Sequence, residues 1–511
     1  MAEVPLLETH GLTKAFGAVR ACDAVSARLM AGEIVALLGE NGAGKSTFVK
    51  MLFGALQPDA GTIEWRGREV AIPDPGAARG LGIGLVHQHF SLFEAFTVAE
   101  NVALGLGGGA RLREVAPRVA ETSAAYGLPL DPAALVADLS VGERQRIEIV
   151  RCLMRDPALV IMDEPTSVLT PQEVERLFET LRALRTEGRT VLYISHKLEE
   201  VRALCDRAIV MRGGRVVGEY DPRRETAASL AAAMMGGELV AVRPRAHEAS
   251  NEVALRIDVL SREADGAFGT ALRDVSLELR RGEIVGIAGI AGNGQDELFA
   301  ALSGEAPDAR DGAVTMLGEA VGRAGIEARR ALGAAFVPDE RLGHAAVPAL
   351  DLPSNALLSR HRPSDGTVAA SGRVLRDGAR RMARRVIEAM DVRSATERPV
   401  ASALSGGNLQ KFVVGRELDK APRLLVVAQP TWGVDAGAAA RIRQALLDLA
   451  ADGAAVLVIS QDLDELFEIA DRIAVINAGR LGPARPAAAV TREGVGVEMG
   501  GVHGATVHVA A

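Results

Sequence analysis

One block of motifs occurs twice in the same order along the 511-residue chain. AGEIVALLGENGAGKST at 31–47 returns as RGEIVGIAGIAGNGQDE at 281–297, and DLSVGERQR at 138–146 returns as ALSGGNLQK at 403–411. LVIMDEPTSVLT at 159–170 returns as LLVVAQPTWGVD at 424–435, and VLYISHKLEEV at 191–201 as VLVISQDLDEL at 456–466. The copies are colinear, with an insertion in the second between its first and second motifs. The spacing is far too long for a solenoid repeat and marks a duplicated domain. The expected organisation is a first domain over 5–238, a polar linker over 239–252, a second domain over 253–492 and a small, polar tail over 493–511.

Within each copy, short β-branched runs (EIVALLG, LVIMDEP, VLYIS) alternate with helical patterns such as PQEVERLFETLRALRTEG at 171–188. Apolar runs this short fit strands buried on both faces, and the alternation predicts an α/β fold around a parallel sheet. The motifs fall at strand C-termini, where open α/β sheets bind ligands. Hydrophobic residues make up 48% and charged residues 24%, as in soluble globular chains. The net charge of -8 argues against a chain whose main task is coating nucleic acid. Cys22, Cys152 and Cys205 show no metal-ligand spacing and read as reduced thiols in small core positions. No secretory signal is expected from MAEVPLLETHGLTKAF, and no window reaches the roughly 18 apolar residues of a membrane span.

The first copy carries a phosphate-binding loop. Gly39, Glu40, Asn41, Gly42, Ala43, Gly44, Lys45 and Ser46 match G-x-x-x-x-G-K-[ST] between a strand and a helix that continues with Thr47. The glycines let backbone N–H groups approach phosphate oxygens, and the helix N-terminus favours negative charge. Lys45 is expected to reach the outer phosphates and Ser46 to ligate Mg²⁺. Asp163 and Glu164 close an apolar strand. Such a pair either caps the next helix or, beside a phosphate loop, binds metal through Asp163 and activates water through Glu164. Gln88 offers a neutral sensor of metal or water, and His196 a donor to the terminal phosphate; each gains weight from its place in the order Lys45, Gln88, Ser140, Asp163, Glu164, His196. Phe16 is placed either to stack on adenine or in the core. His87 and His89 read as surface residues.

At Leu139-Ser140-Val141-Gly142-Glu143 and Leu404-Ser405-Gly406-Gly407-Asn408 the chain resembles the ABC ATPase family, whose signature is LSGGQ. The resemblance covers roughly residues 5–490 and implies an α/β fold of two tandem P-loop NTPase domains. Each would have a RecA-like parallel-sheet core and a helical subdomain. It also implies that each signature faces the P-loop of the other domain, so that Ser405, Gly406 and Gly407 bind the nucleotide held by Lys45. GNGQ, LSGGNLQK and QPTWGVD are similar to the double ATPase subunit of bacterial carbohydrate-type importers. GLVHQHFSLFEAFTVAEN and IMDEPTSVLTPQEVE are most similar to its nucleoside branch. The implied cofactors are ATP and Mg²⁺. The implied partners are two transmembrane permease subunits and, indirectly, a solute-binding protein, with the chain peripheral to the cytoplasmic face of the bacterial inner membrane. The region of Gln88 and the loop Ser91–Phe96 is the expected docking surface.

The second copy departs at every catalytic position: Gln295 for Lys45, Asp296 for Ser46, Asp339 for Gln88, Ala428 for Asp163, Gln429 for Glu164 and Gln461 for His196. Gln295 brings no positive charge, Ala428 holds no metal and Gln429 cannot accept a proton. Asp296 would set a carboxylate against phosphate, a repulsion of about 4 kcal/mol at about 4 Å and an effective dielectric constant of about 20. The signatures show the opposite pattern. Val141 stands where Gly406 would allow close approach. In a head-to-tail pairing the intact P-loop meets the intact signature, with Asp435 at that site and Thr170 at the defective one. One hydrolytic site is therefore expected, for import of nucleosides or, failing that, a simple sugar. The rival reading is a soluble protein acting on nucleic acid. It rests on the arginine-rich segment 373–385, which lacks interleaved aromatics and reads as the exposed face of a helical insertion in the second copy, so no nucleic-acid partner is expected.

Overall fold

The computed structural model describes residues 4–500 except 18, 41, 88–90, 107–110, 167, 168, 170, 196, 236–249, 267, 268, 309, 361–366, 371, 372 and 395–397. It divides into two compact units, Met1–Leu239 and Val240–Ala511. The expected linker lies mostly outside the described residues.

In the first unit a six-stranded sheet runs in the order Arg215–Tyr220, Arg207–Arg212, Ile34–Gly39, Thr190–Ile194, Leu159–Asp163, Ile83–Val86. All neighbours are parallel except the Arg215–Tyr220 edge. Strand alternation sends Ile34, Ala36 and Leu38 into one core with Met162, Phe178 and Tyr193, and Val35 and Leu37 into another with Phe48, Met51 and Ile161. A strand buried on both faces cannot carry polar residues along its length, which is why IVALLG reads as an unbroken apolar run. Each fully buried Val, Leu, Ile, Phe or Met side chain contributes about 1.5–3 kcal/mol. A four-stranded antiparallel sheet (Val19–Leu29, Leu7–Phe16, Ala60–Trp65, Arg68–Val70) accompanies it. Helices Val98–Leu106, Leu112–Ala125 and Val141–Leu153 form the helical segment.

The second unit repeats the plan. Its sheet orders Ala334–Val337, Leu424–Ala428, Ala455–Ser460, Ile284–Ala288 and Arg472–Asn477, extended by Arg480–Leu481, while Arg485–Pro486 pairs with Arg472–Asn477. The insertion lies between helices Leu352–Leu358 and Arg376–Ala389 and includes a small pairing of Ala369–Ala370 with Arg373–Val374. The arginine-rich helix is not itself inserted, since Leu112–Ala125 is its counterpart. Its apolar face (Ala379, Met382, Ala383, Val386) is buried and Arg376, Arg380, Arg381, Arg384 and Arg385 are exposed.

The tail expected from 493 starts later. Arg492–Met499 is a helix capped by Thr491, with Val495 and Met499 in the core and the Met499 carbonyl bonded to Asn477. Two apolar residues four apart suffice to dock this short turn of helix, a period obscured by the surrounding glycines. The three cysteines are buried, and burial pushes the Cys22 thiol up to about 11 and that of Cys152 to about 12.

Candidate nucleotide site

The first loop wraps the start of helix Lys45–Leu52. Gly44, its N-cap, is left-handed at φ 103°, and a Cβ there would strike the Ala21 carbonyl; a Cβ at Gly39 would strike that of Met211. The glycines are thus demanded by backbone approach as well as by phosphate access. Lys45 is buried and its ammonium donates to the carbonyls of Gly39 (2.7 Å) and Glu40 (3.1 Å). Desolvation lowers its pKa, against the pull of Glu164, Asp163 and Glu40, so these three carboxylates act on the loop lysine. Ser46 is exposed at the mouth, with Thr47 half-buried behind it and Gly42 exposed. Ser46 and Asp163 offer the hard oxygen donors that Mg²⁺ takes.

Glu164 has φ 50°, left-handed for a residue with a side chain, and its N–H donates to the Ile194 carbonyl at 2.9 Å. Such backbone strain costs about 1–3 kcal/mol and clusters at functional positions. The helix-capping alternative fails for Glu164, because the next helix begins only at Pro171. Behind it, Glu200 accepts from Thr166 Oγ1 (2.7 Å), Tyr193 Oη (2.7 Å) and Ser195 Oγ (3.3 Å), with Lys197 Nζ at 3.4 Å. This buried web ties the two strand ends together, and the sequence reading missed it. Phe16 is 53% exposed, which rules out core packing. Asn41, Gln88, His89, Thr170 and His196 lie outside the described residues.

The second loop has the same backbone, with Gly294 left-handed at φ 105°. Its side chains do something else. Gln295 donates to the Ile290 carbonyl at 2.7 Å and accepts from the Asn293 N–H at 3.0 Å. Asp296 stands where Ser46 stands in the first unit, within the fields of Asp339 and Glu297. Gln429 keeps the strained φ of 47°, and its amide oxygen accepts from the Gln461 N–H at 3.3 Å.

Both signature helices are capped by their serines. Ser140 and Glu143 form a capping box at Val141–Leu153, and Ser405 accepts from the Asn408 N–H at Gly406–Leu418. Ser405 and Gly406 are exposed and Gly407 half-buried.

The loop Ser91–Phe96 is held from behind. Asn101 accepts from the Phe93 N–H (2.7 Å) and donates to the Phe93 and Thr97 carbonyls, while buried Glu148 accepts from the Ser91 N–H (2.9 Å) and pairs with Arg151. Held this way, the loop presents Phe93 at 61% exposure beside Phe96, ring centroids 5.5 Å apart. Asn355 repeats the Asn101 pattern around Val347, Leu350 and Asp351 in the second unit. That recurrence of an asparagine after each motif was the available signal for it.

The family model described as ABC transporter matches the chain twice, over residues 22–167 and 272–432. The chain is 38% identical to "Nucleoside import ATP-binding protein NupA" of Lactococcus lactis subsp. cremoris, over 98% of this chain and 99% of that protein. It is 39% identical to "Guanosine import ATP-binding protein NupO" of Bacillus subtilis, over 97% of each chain. With "Ribose import ATP-binding protein RbsA 1" of Rubrobacter xylanophilus it shares 40% over 96% of this chain and 97% of that one. A twice-matched family model and relatives aligned end to end agree with two loops of shared backbone: the chain belongs to the ABC transporter family and is an ATPase with two of its nucleotide-binding domains.

Proposed function

We propose that this chain drives an importer by hydrolysing ATP at one composite site, built from the P-loop of the first unit and the signature of the second. The observation that carries the reading is the contrast between Lys45, a buried cation on its loop carbonyls, and Gln295, a neutral amide bonded within the equivalent loop. On this reading Lys45, the loop N–H groups of Gly39–Thr47 and the Ser405–Gly407 turn bind the phosphates, and Phe16 stacks on the base. Glu164 orients and deprotonates the attacking water, and His196 and Gln88 hold the terminal phosphate and sense the water. Ser46, Asp163 and Gln88 would hold Mg²⁺, which screens phosphate charge. A positioned general base contributes about 10²–10⁴ in rate.

Among the described residues no helix is long and apolar enough to cross a membrane. The spans would then come from two permease subunits, docked at the exposed Phe93 and Phe96, with the chain peripheral to the cytoplasmic face of the inner membrane. Nucleosides are the favoured cargo, on the names of two relatives and the wording of the Gln88 region; ribose or a similar sugar is the second reading, on the name of the third.

The test is steady-state ATPase of the complex assembled with its membrane partners. Glu164→Gln should lower turnover at least 100-fold, and Ser405→Arg should impair it far more than Ser140→Arg. Wild-type turnover in Glu164→Gln, or equal damage from the two serine variants, would overturn the single-site reading. Solute binding to the delivery protein that co-purifies separates nucleoside from sugar.

A further inference from the structure

The two signature helices begin alike and meet different ionic neighbours. In the first unit a Cβ on Gly142 would collide with the Glu173 carboxylate, which Arg146 pairs at 3.2 Å. Glu143, in the capping box, adds a second acid. In the second unit the position of Glu173 is Ala438 and that of Glu143 is Asn408. There the neighbour is a cation: a Cβ on Gly406 would lie 2.7 Å from Arg341 Nη1, and one on Gly433 3.0 Å from Arg341 Nη2. Arg341 donates to the Trp432 carbonyl, and its guanidinium sits 5.9 Å from the centre of the exposed Trp432 ring. No described carboxylate forms an ion pair with it; Asp339 acts on it only through space.

The repeat makes this placement informative. Counting from the aligned strands Ile83–Val86 and Ala334–Val337, Arg341 corresponds to Phe90, and Gly406 corresponds to Val141. The unit with Arg341 has Gly406, and the unit with Val141 has Phe90 at the position of the arginine. A side chain on residue 406 would take the space of the guanidinium, so the glycine serves the arginine as well as backbone access.

We propose that Arg341 is a positioning residue of the hydrolytic site, holding the Ser405–Gly407 turn against the Trp432–Gly433 loop and adding positive charge where the terminal phosphate of ATP arrives. It rests on the composite-site reading above. Planar guanidinium suits this task because one fork can bond a carbonyl and still face an anion.

The experiment compares Arg341→Ala, Arg341→Lys and wild type in the full complex, reading KM for MgATP, kcat and thermal midpoint, with Glu164→Gln alongside. Arg341→Ala should raise KM about tenfold with a smaller change in kcat, and Arg341→Lys, which restores the charge without the planar fork, should recover part of the loss. If Arg341→Ala fails to fold, Arg341→Gln, which can still bond the Trp432 carbonyl, carries the same expectation. An unchanged KM in the neutral variant, or a lysine variant no better than alanine, would overturn the proposal. Either result with an inactive Glu164→Gln removes Arg341 alone; an active Glu164→Gln removes the composite site itself.

Discussion

The side-chain amide of Gln295 donates to the Ile290 carbonyl at 2.7 Å, the same place in its loop that Lys45 reaches at the Glu40 carbonyl in the first unit. The geometry is shared and the consequence differs. Lys45 can turn its charge from carbonyl to phosphate. Gln295 also accepts the Asn293 N–H, so its loop loses a donor to its own side chain.

Nucleotide stoichiometry should reflect this. Equilibrium dialysis with a slowly hydrolysed ATP analogue should find one tight site per chain. Lys45→Ala should weaken it at least 100-fold, whereas Gln295→Ala should leave its affinity within twofold. A second tight site in the wild type, lost in Gln295→Ala, would contradict the expectation.

Arg329 is fully buried, and its guanidinium donates to the carbonyls of Ala324, Ala301, Leu302, Val321 and Gly322. Ala301 and Leu302 lie at the end of the second loop helix, Gln295–Ser303, where carbonyls lack helical partners. Burial lowers the Arg329 pKa to about 10, still charged at neutral pH. Arg329→Met keeps volume and strands the carbonyls, so it should cost about 3 kcal/mol or more. Chemical denaturation would measure it, and the transition of the second unit should move.

Burial, with Asp462 nearby, pushes Glu465 up to about 7, and Ser460 Oγ donates to it at 2.8 Å. An acid whose folded pKa is raised binds its proton more tightly when folded. Its contribution is complete below the ordinary glutamate value and is lost as pH rises through about 7. Glu465→Gln should match wild type near pH 4.5 and exceed it at pH 8 by about 3 kcal/mol, at ~1.4 kcal/mol per unit. Thermal melts across that range would show the gap opening with pH; a constant gap would refute it.

Phe93 faces solvent, so Phe93→Ser should change the stability of the isolated subunit by no more than about 0.5 kcal/mol. Co-purification with membrane partners should nevertheless fall several-fold. Full recovery of the complex would place docking elsewhere.

Much of the site was legible because its chemistry is local. G-x-x-x-x-G-K-S fixes a strand, a turn and a helix within a few residues, and the structure places Lys45 and Ser46 there. Glu164 was ambiguous between cap and base, because left-handed φ is a property of the folded strand end. Phe16 was ambiguous because exposure depends on what packs beside the strand. Asn101, Glu148 and Arg151 had no motif: their partners are loop backbone atoms brought close by helix packing. The Arg492–Met499 helix was hidden by glycines that weaken propensity while two apolar residues decide its docking.

By itself the sequence determined the duplication, the parallel-sheet cores and the loss of lysine, carboxylate and histidine from the second copy, since each follows from residue types at short, repeated spacings. Only the tertiary structure decided which ionic side chain lies beside each signature turn. Glu173 reaches Gly142, and Arg341 reaches Gly406, from segments far away along the chain. Coulombic forces act through space, so which ionic neighbour a backbone turn meets is set by packing.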